Sequence, residues 1–256
     1  MAKKDAVAVR EETTTALEPH REPVEQLGNL DLGDVTLPRY RLVQPTSAAS
    51  KEAGGIEGEF FDALSIESHK QVLIVPLSIR KGMVRFEEGD DKPDCGSRDG
   101  LVPDASRFES PISDHCGELV AGRIRYTCHE AQRGGRCSQI YDLLALAIET
   151  DADGEHVGCV PFVMTLKGWS RKAVKDLHTW CQIRHVAYHD VACTMSAKKV
   201  KNDKGTFFVA QFSGYTKLEQ GRYEEFARTF ASYDVTRTDA AESEAKSDEP
   251  AADGSF

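Results

Sequence analysis

The stretch HVGCVPFVMTLKGWSRKAVKDLHTWCQIR, residues 156–184, changes its hydrophobic period midway and so decides the fold class. Its first half is a run of branched and aromatic residues, which is typical of a strand. In the second half, Val174, Leu177 and Cys181 recur at helical spacing after Ser170, a residue type favoured at an N-cap. The stretch therefore predicts a strand that leads into an amphipathic helix, with Trp180 assigned to the buried side.

Short strands surround this stretch. CSQIYDLLALAIET precedes it, and AYHDVACTMSAKKVKNDKGTFFVAQFSGY follows it as two strands around a basic turn. Upstream, the apolar run 72–79 contains Pro76, which indicates a strand edge or a bulge, and Lys81-Gly82 is typical of a hairpin turn. Strands outnumber helices, so we expect a mainly β protein, a small β-barrel with one inserted helix rather than a helical bundle or a parallel sheet.

The 256 residues suffice for one main domain flanked by two polar tails. Residues 1–36 show no sustained apolar period and are expected to be a disordered leader. Residues 37–233 form the expected domain, which begins with a strand near Tyr40 and ends with an amphipathic helix at 218–232. Residues 234–256 hold seven acids and two bases, a composition too polar to order, and end at Phe256.

Composition restricts the setting in which the protein works. No segment approaches the roughly 20 apolar residues of a membrane span, and the start of the chain lacks the apolar block of a signal peptide. We therefore expect a cytoplasmic protein without a membrane partner, in a bacterial or phage-infected cell. In that reducing compartment the seven cysteines are expected to be thiols or metal ligands rather than disulfides.

The net charge of −10 hides a strong asymmetry. Residues 165–217 contain ten bases and three acids, a local charge of +7, so the rest of the chain carries −17. A basic segment inside an acidic chain indicates a site for a polyanion, whereas a lysine-rich surface without a function is the plain alternative.

A long segment at about 89–138 is poor in apolar residues and needs something other than a core to hold it. Four cysteines lie in or beside it: Cys95, Cys116, Cys128 and Cys137. Their placement favours a structural zinc site, with His115 and His129 as alternative ligands, although no CxxC pair is present and idle buried thiols are the competing interpretation. No catalytic zinc or nucleotide-binding motif occurs, so we expect no enzymatic activity.

Aromatic residues alternate with bases in the basic segment, as in sites that stack single-stranded bases and neutralise phosphates. The candidate phosphate contacts are Lys167, Arg171, Lys172, Lys198, Lys199, Lys201 and Lys204. The candidate stacking residues are Trp169, Tyr188 and Phe207. Because neighbours on a strand face opposite ways, only one of Phe207 and Phe208 can point at the core.

Five motifs stand out between residues 37 and 212: LPRYRLVQPTS, VLIVPLSIRKGMVRF, CGSRDGLVP at Cys95, GGRCSQIYDLLAL and PFVMTLKGWSRKAVKDL. In these motifs the chain resembles the zinc-containing, OB-fold single-stranded DNA-binding proteins of phages and mobile elements. The resemblance implies a five-stranded OB barrel with an inserted helix and a zinc-stabilised loop, which coats single-stranded DNA during replication, recombination or repair. This chain departs from the family in the eleven residues between Cys116 and Cys128, where members usually have two close cysteines.

The terminal segment SDEPAADGSF is similar to the acidic tails of such proteins. The resemblance implies that the acids occupy the basic groove when DNA is absent, and that Phe256 contacts replication or recombination proteins. The oligomeric state is left open, with a homo-oligomer as one alternative.

Two other functions remain open from sequence. A zinc-dependent nuclease would need carboxylates clustered beside the metal, whereas Asp94, Asp99, Asp104 and Asp114 are scattered. A zinc-stabilised adaptor would not bind nucleic acid at all.

Overall fold

The computed structural model describes residues 36–86, 93–104, 111–150, 156–203 and 205–232. Within these ranges the protein is mainly β and its sheets are antiparallel, which confirms the predicted class. The leader up to residue 35, the acidic tail with Phe256, Lys204 and the turn 151–155 lie outside the described residues.

Five long strands form the main sheet, in the order β11-β10-β4-β8-β9, and every neighbouring pair is antiparallel. Their bounds are β4 Gln71–Phe86, β8 Ser138–Thr150, β9 His156–Leu166, β10 Val191–Asn202 and β11 Gly205–Lys217. The short β5, Pro93–Ser97, pairs with the second half of β4. The segments CSQIYDLLALAIET and HVGCVPFVMTLKG, each predicted as a strand, correspond to β8 and β9, and the two strands predicted around a basic turn are β10 and β11.

Strand β4 continues through Lys81-Gly82, so the hairpin turn predicted there is wrong. Gly82 instead permits a close approach, because a Cβ at this position would lie 2.8 Å from the carbonyl oxygen of Ser97 on β5. The predicted irregularity at Pro76 is confirmed, since the register between β4 and β8 shifts between Pro76 and Ser78.

Helix α2, Arg171–Arg184, follows β9 as predicted and buries Val174, Leu177 and Cys181 in an inner core. This core has residues from all five long strands and includes Phe162 and Met195, neither of them exposed. Burying a large apolar side chain of this kind stabilises the fold by about 1.5–3 kcal/mol.

Two local predictions for α2 are confirmed only in part. Ser170 is at the N-cap, directly before Arg171, but its hydroxyl makes no capping bond; it accepts a hydrogen bond from the backbone N–H of Ala210 on β11, at 3.0 Å. Trp180 is only half-buried, since its ring stacks on Tyr215 with the centroids 5.5 Å apart, and the guanidinium of Arg184 lies 4.4 Å from the Trp180 centroid.

A small sheet joins β9 to β11. It consists of β1 Tyr40–Leu42, β2 Phe60–Asp62 and β3 Glu67–His69, with helix α1, Ala48–Glu52, between β1 and β2. Arg39, beside β1, forms an isolated parallel bridge with Val163 of β9. Farther along, the Gln44 amide donates to the carbonyl of Phe208 and accepts from its N–H, both at 2.9 Å. One side chain thus pairs both backbone groups of a β11 residue.

A second core covers the outer face of β4, β8 and β9. Leu144, Leu146 and Val163 are at most 1% exposed there, and Tyr223 is buried against the same cluster. The terminal segment predicted as amphipathic packs on this face through Phe226 and Phe230. Its helix α3 spans only Glu224–Thr229 and is followed by a 3-10 turn, Phe230–Ser232, so the helix is shorter than predicted.

The junction at Gln44 is testable. We expect Gln44→Ala to lower the free energy of unfolding by about 1–3 kcal/mol, because it leaves the N–H and C=O of Phe208 without their partner. Urea denaturation measures the change, and Gln182→Ala, an exposed position on α2, should stay within about 0.5 kcal/mol of the parent. Equal effects of the two substitutions would contradict this role.

Candidate nucleic-acid interface and candidate metal centre

The four cysteines of the long loop come from four different places in the chain. Cys95 lies on β5, opposite Arg85 of β4. Cys116 immediately precedes β6, Gly117–Val120, and Cys128 follows β7, Arg123–Tyr126. Cys137 immediately precedes β8. The β6–β7 hairpin therefore carries one cysteine at each end of its open base.

Backbone hydrogen bonds draw these segments together. The carbonyl of Cys116 accepts from the N–H of Cys128 at 3.2 Å, which closes the base of the hairpin. The N–H of Cys137 donates to the carbonyl of Glu130 at 2.8 Å. Cys95, Cys116 and Cys128 are buried, Cys137 is half-buried, and Met83 and Ala131 pack beside Cys128.

The four thiols form one electrostatic neighbourhood. Burial raises the pKa of the Cys116 thiol to about 11, and the charges that Cys95 and Cys128 would carry raise it further. Burial likewise raises the pKa of Cys137 to about 12, with added contributions from the other three cysteines. Such clustered thiols favour their neutral form unless a cation compensates the negative charge of the thiolates.

The donor chemistry of the four thiols suits zinc. Within the described ranges, no group of three or more His, Cys, Asp and Glu side chains is arranged so that it could hold a metal ion. The alternative ligands His115 and His129 are both exposed, and His129 lies 3.3 Å from the carboxylate of Glu130. The structure thus brings the four cysteines into one region and leaves the two histidines at its surface.

The carboxylates of the long loop make ion pairs and hydrogen bonds that stabilise the loop itself. Asp94 forms an ion pair with the buried Arg85, and Asp104 pairs with Arg98 at 2.5 Å. Asp99 accepts from the N–H groups of Leu101 and Val102; these bonds lower its pKa and outweigh the opposing effect of burial. Acids occupied in this way give no support to a nuclease site.

Trp169 is the most exposed aromatic candidate. It lies in the 3-10 turn Gly168–Ser170 between β9 and α2, and 51% of its surface is exposed. Its ring meets Phe207 of β11 edge-on, with the centroids 5.6 Å apart. Phe207 itself is buried, at 9% exposure, so it supports the Trp169 ring and does not offer a stacking face of its own.

The lysines of β10 divide between the two faces of the sheet. Lys198 pairs with Val209 and is the diagonal neighbour of Phe207, at about 7–8 Å, so it shares the face that carries Trp169. Lys199 pairs with Phe208 on the opposite face, and its ammonium lies 5.9 Å from the Phe208 ring centroid. Lys201, two residues on, shares the face of Lys199.

The bases around α2 differ in what they contact. Lys167 is half-exposed beside Trp169. The Nε of Arg171 donates to the carbonyl of Gly168 at 2.9 Å, and Lys172 is exposed but paired with Asp176 at 2.5 Å. Lys167 and Arg171 therefore flank the Trp169 turn, whereas the charge of Lys172 is partly compensated.

Tyr188 does not join the other aromatic candidates. Its hydroxyl lies 2.6 Å from Nδ1 of His178, in the second half of α2, and its ring packs against the inner core. His178 is eight residues beyond Ser170, about 12 Å along the helix. Tyr188 thus lies about two helical turns along α2 from the Trp169 turn.

Phe208 is an aromatic residue that the sequence left undecided. It is half-buried over the loop before β2, where a Cβ at Gly58 would lie 2.6 Å from its ring. Strand alternation required one of Phe207 and Phe208 to face outward from the core, but it did not say which.

Comparison of the chain with family models, curated proteins and solved structures finds no match. The described residues include no helix that is both long and apolar enough to cross a membrane.

Proposed function

We propose that this protein binds single-stranded DNA without catalysing a reaction, and that it coats such strands during replication, recombination or repair. The observation that carries the proposal is the half-exposed Trp169, supported edge-on by Phe207 and flanked by Lys167, Arg171 and Lys198. An aromatic face among cations is what a base and its phosphates require. The resemblance to phage and mobile-element proteins agrees with this setting.

We further propose that the main sheet is an OB-type barrel. Its strand order, β11-β10-β4-β8-β9, leaves a gap between β9 and β11, and an OB barrel closes between its third and fifth strands. Helix α2 lies between the third and fourth long strands, where the inserted helix is expected. The Arg39 bridge to β9 and the Gln44 bonds to β11, on either side of β1, support closure of this gap.

Structural Zn²⁺ is the cofactor we propose, with Cys95, Cys116, Cys128 and Cys137 as its ligands. The support is that four mostly buried thiols share one region in a segment with very little core of its own. When bound, the ion would stabilise the thiolates and cross-link β5, the β6–β7 hairpin and the start of β8.

The acidic segment 234–256 is proposed to compete with DNA for the basic surface and to recruit replication or recombination proteins through Phe256. The support is charge: its seven acids and two bases oppose the +7 of residues 165–217. A protein with a net negative charge can still bind DNA, because binding depends on the electrostatic potential near the basic residues and not on the total charge.

Trp169→Ala tests the stacking role. We expect it to weaken binding of a labelled 30-nucleotide strand by about 5- to 150-fold, the loss of one stacked base, in fluorescence anisotropy at two salt concentrations. Ile183→Ala, which removes a 68% exposed side chain at the other end of α2, is the control and should leave affinity unchanged. Equal affinity of the parent and Trp169→Ala, with folding intact, would contradict the proposal.

Metal content tests the zinc site. Purified protein should contain about one zinc per chain, and Cys116→Ser with Cys128→Ser should lose it because both ends of the hairpin base lose a ligand. Cys159→Ser, a half-buried position on β9, should keep the metal. Elemental analysis decides, and a double variant that retains its zinc would refute the assignment.

Removal of the acidic segment tests competition. A chain that ends at Tyr233 should bind the labelled strand more tightly than the full chain at low salt, and the difference should shrink as salt rises, because screening weakens both contacts. Anisotropy titrations of the two chains measure this. Unchanged affinity at low salt would remove the self-blocking role.

A further inference from the structure

The outer face of β8 and β9 is where OB folds ordinarily bind oligonucleotides, and here that face is covered. Leu144, Leu146 and Val163 are buried there beneath Tyr223 and the residues around α3. This aliphatic surface offers neither charge nor ring faces to a nucleic acid. The covering segment is also fixed at its end, since Nη2 of Arg80 donates to the carbonyl of Ala231 at 2.9 Å. A bound strand must therefore take another path.

The cover ends at a defined level on two strands. On β9, Val163 is buried under it, whereas Thr165, two residues on, is exposed and donates its hydroxyl to Asp142 at 2.6 Å. Beside β1, Leu37 is buried in the same outer core, whereas Arg39 is half-exposed. The accessible outer surface thus begins at Arg39 and Thr165 and continues away from α3.

The arginines of the β1 segment belong to this accessible surface. The ring of Tyr40 stacks on Phe162 in the inner core, 4.3 Å between centroids, and Leu42 packs against the same core. Because side chains alternate along a strand, Arg39 and Arg41 point to the outer face. Both are half-exposed.

The parallel bridge aligns these arginines with the Trp169 turn. Arg39 is opposite Val163 in a parallel bridge. If this register continues, Arg41 is opposite Thr165, and the next residues of β9 run towards Lys167. Beyond β1, the bonds of Gln44 to Phe208 place the chain against β11, the strand whose Phe207 supports Trp169. Bases and an aromatic face thus follow one seam from β9 to β11.

We infer that the single strand runs along this seam, with Arg39 and Arg41 binding its phosphates while Trp169 stacks a base. We call this surface the β1 seam, and its members are Arg39, Arg41, Thr165, Lys167, Trp169 and Lys198. The inference rests on the proposed function and moves the path away from the face covered by α3.

Charge removal tests the path. Arg39→Gln with Arg41→Gln should weaken binding of a labelled 30-nucleotide strand by about five-fold per arginine at 0.1 M salt. The slope of log affinity against log salt should become shallower by about 0.7 per arginine. Arg228→Gln on the exposed surface of α3 is the control, since it also removes one positive charge. Because salt screens a charge remote from the strand, this variant should bind with an affinity within about two-fold of the parent's.

Further readouts separate contact from structure. Arg41→Lys should retain most of the salt slope of the parent, because the charge is kept. A loss of affinity in the Gln variants without a change in slope would indicate a structural role and overturn the inference. So would parent-like binding by the Gln variants together with weakened binding by Arg228→Gln, which would place the strand over α3. Failure of the parent protein to bind at low salt would instead refute the proposed function itself.

Discussion

The middle parts of β8 and β9 are buried on both faces, and this double burial determines where a ligand can reach the protein. Their inward residues form the core with α2, while Leu144, Leu146 and Val163 form an outer core under the terminal segment. A sheet closed on both sides has no apolar or aromatic face left for a ligand. Recognition is therefore expected at the margin of the covered area, where β1 and the Trp169 turn bring arginines, lysines and an indole to the surface.

Local patterns predicted much of the fold, and long-range contacts explain what they missed. The change of hydrophobic period at 156–184 indicated β9 and α2, because this period depends only on residues that are close together in the sequence. The Gln44–Phe208 bonds join residues 164 positions apart, so no window of sequence contains them. Lys81-Gly82 has the composition of a turn, yet the approach of Ser97 makes Gly82 part of a long strand.

The candidate site was predictable in its chemistry but not in its arrangement. Residue type and spacing selected Trp169, Lys198 and the four cysteines. Strand alternation could not decide whether Phe207 or Phe208 was buried. The separation of Tyr188 from Trp169 follows from the contact between Tyr188 and His178 on α2, which the sequence does not show. Arg39 and Arg41 lie 126 and 124 residues before Thr165 in the sequence, so only the bridge to Val163 associates them with it.

Hydrogen–deuterium exchange with and without a 30-nucleotide single strand tests whether the strand lies along the β1 seam. We expect slower exchange at 37–43, 165–171 and 196–209, where the β1 seam would contact the strand, and little change at 218–232. Protection centred on 218–232, or no protection at saturating strand concentration, would contradict it.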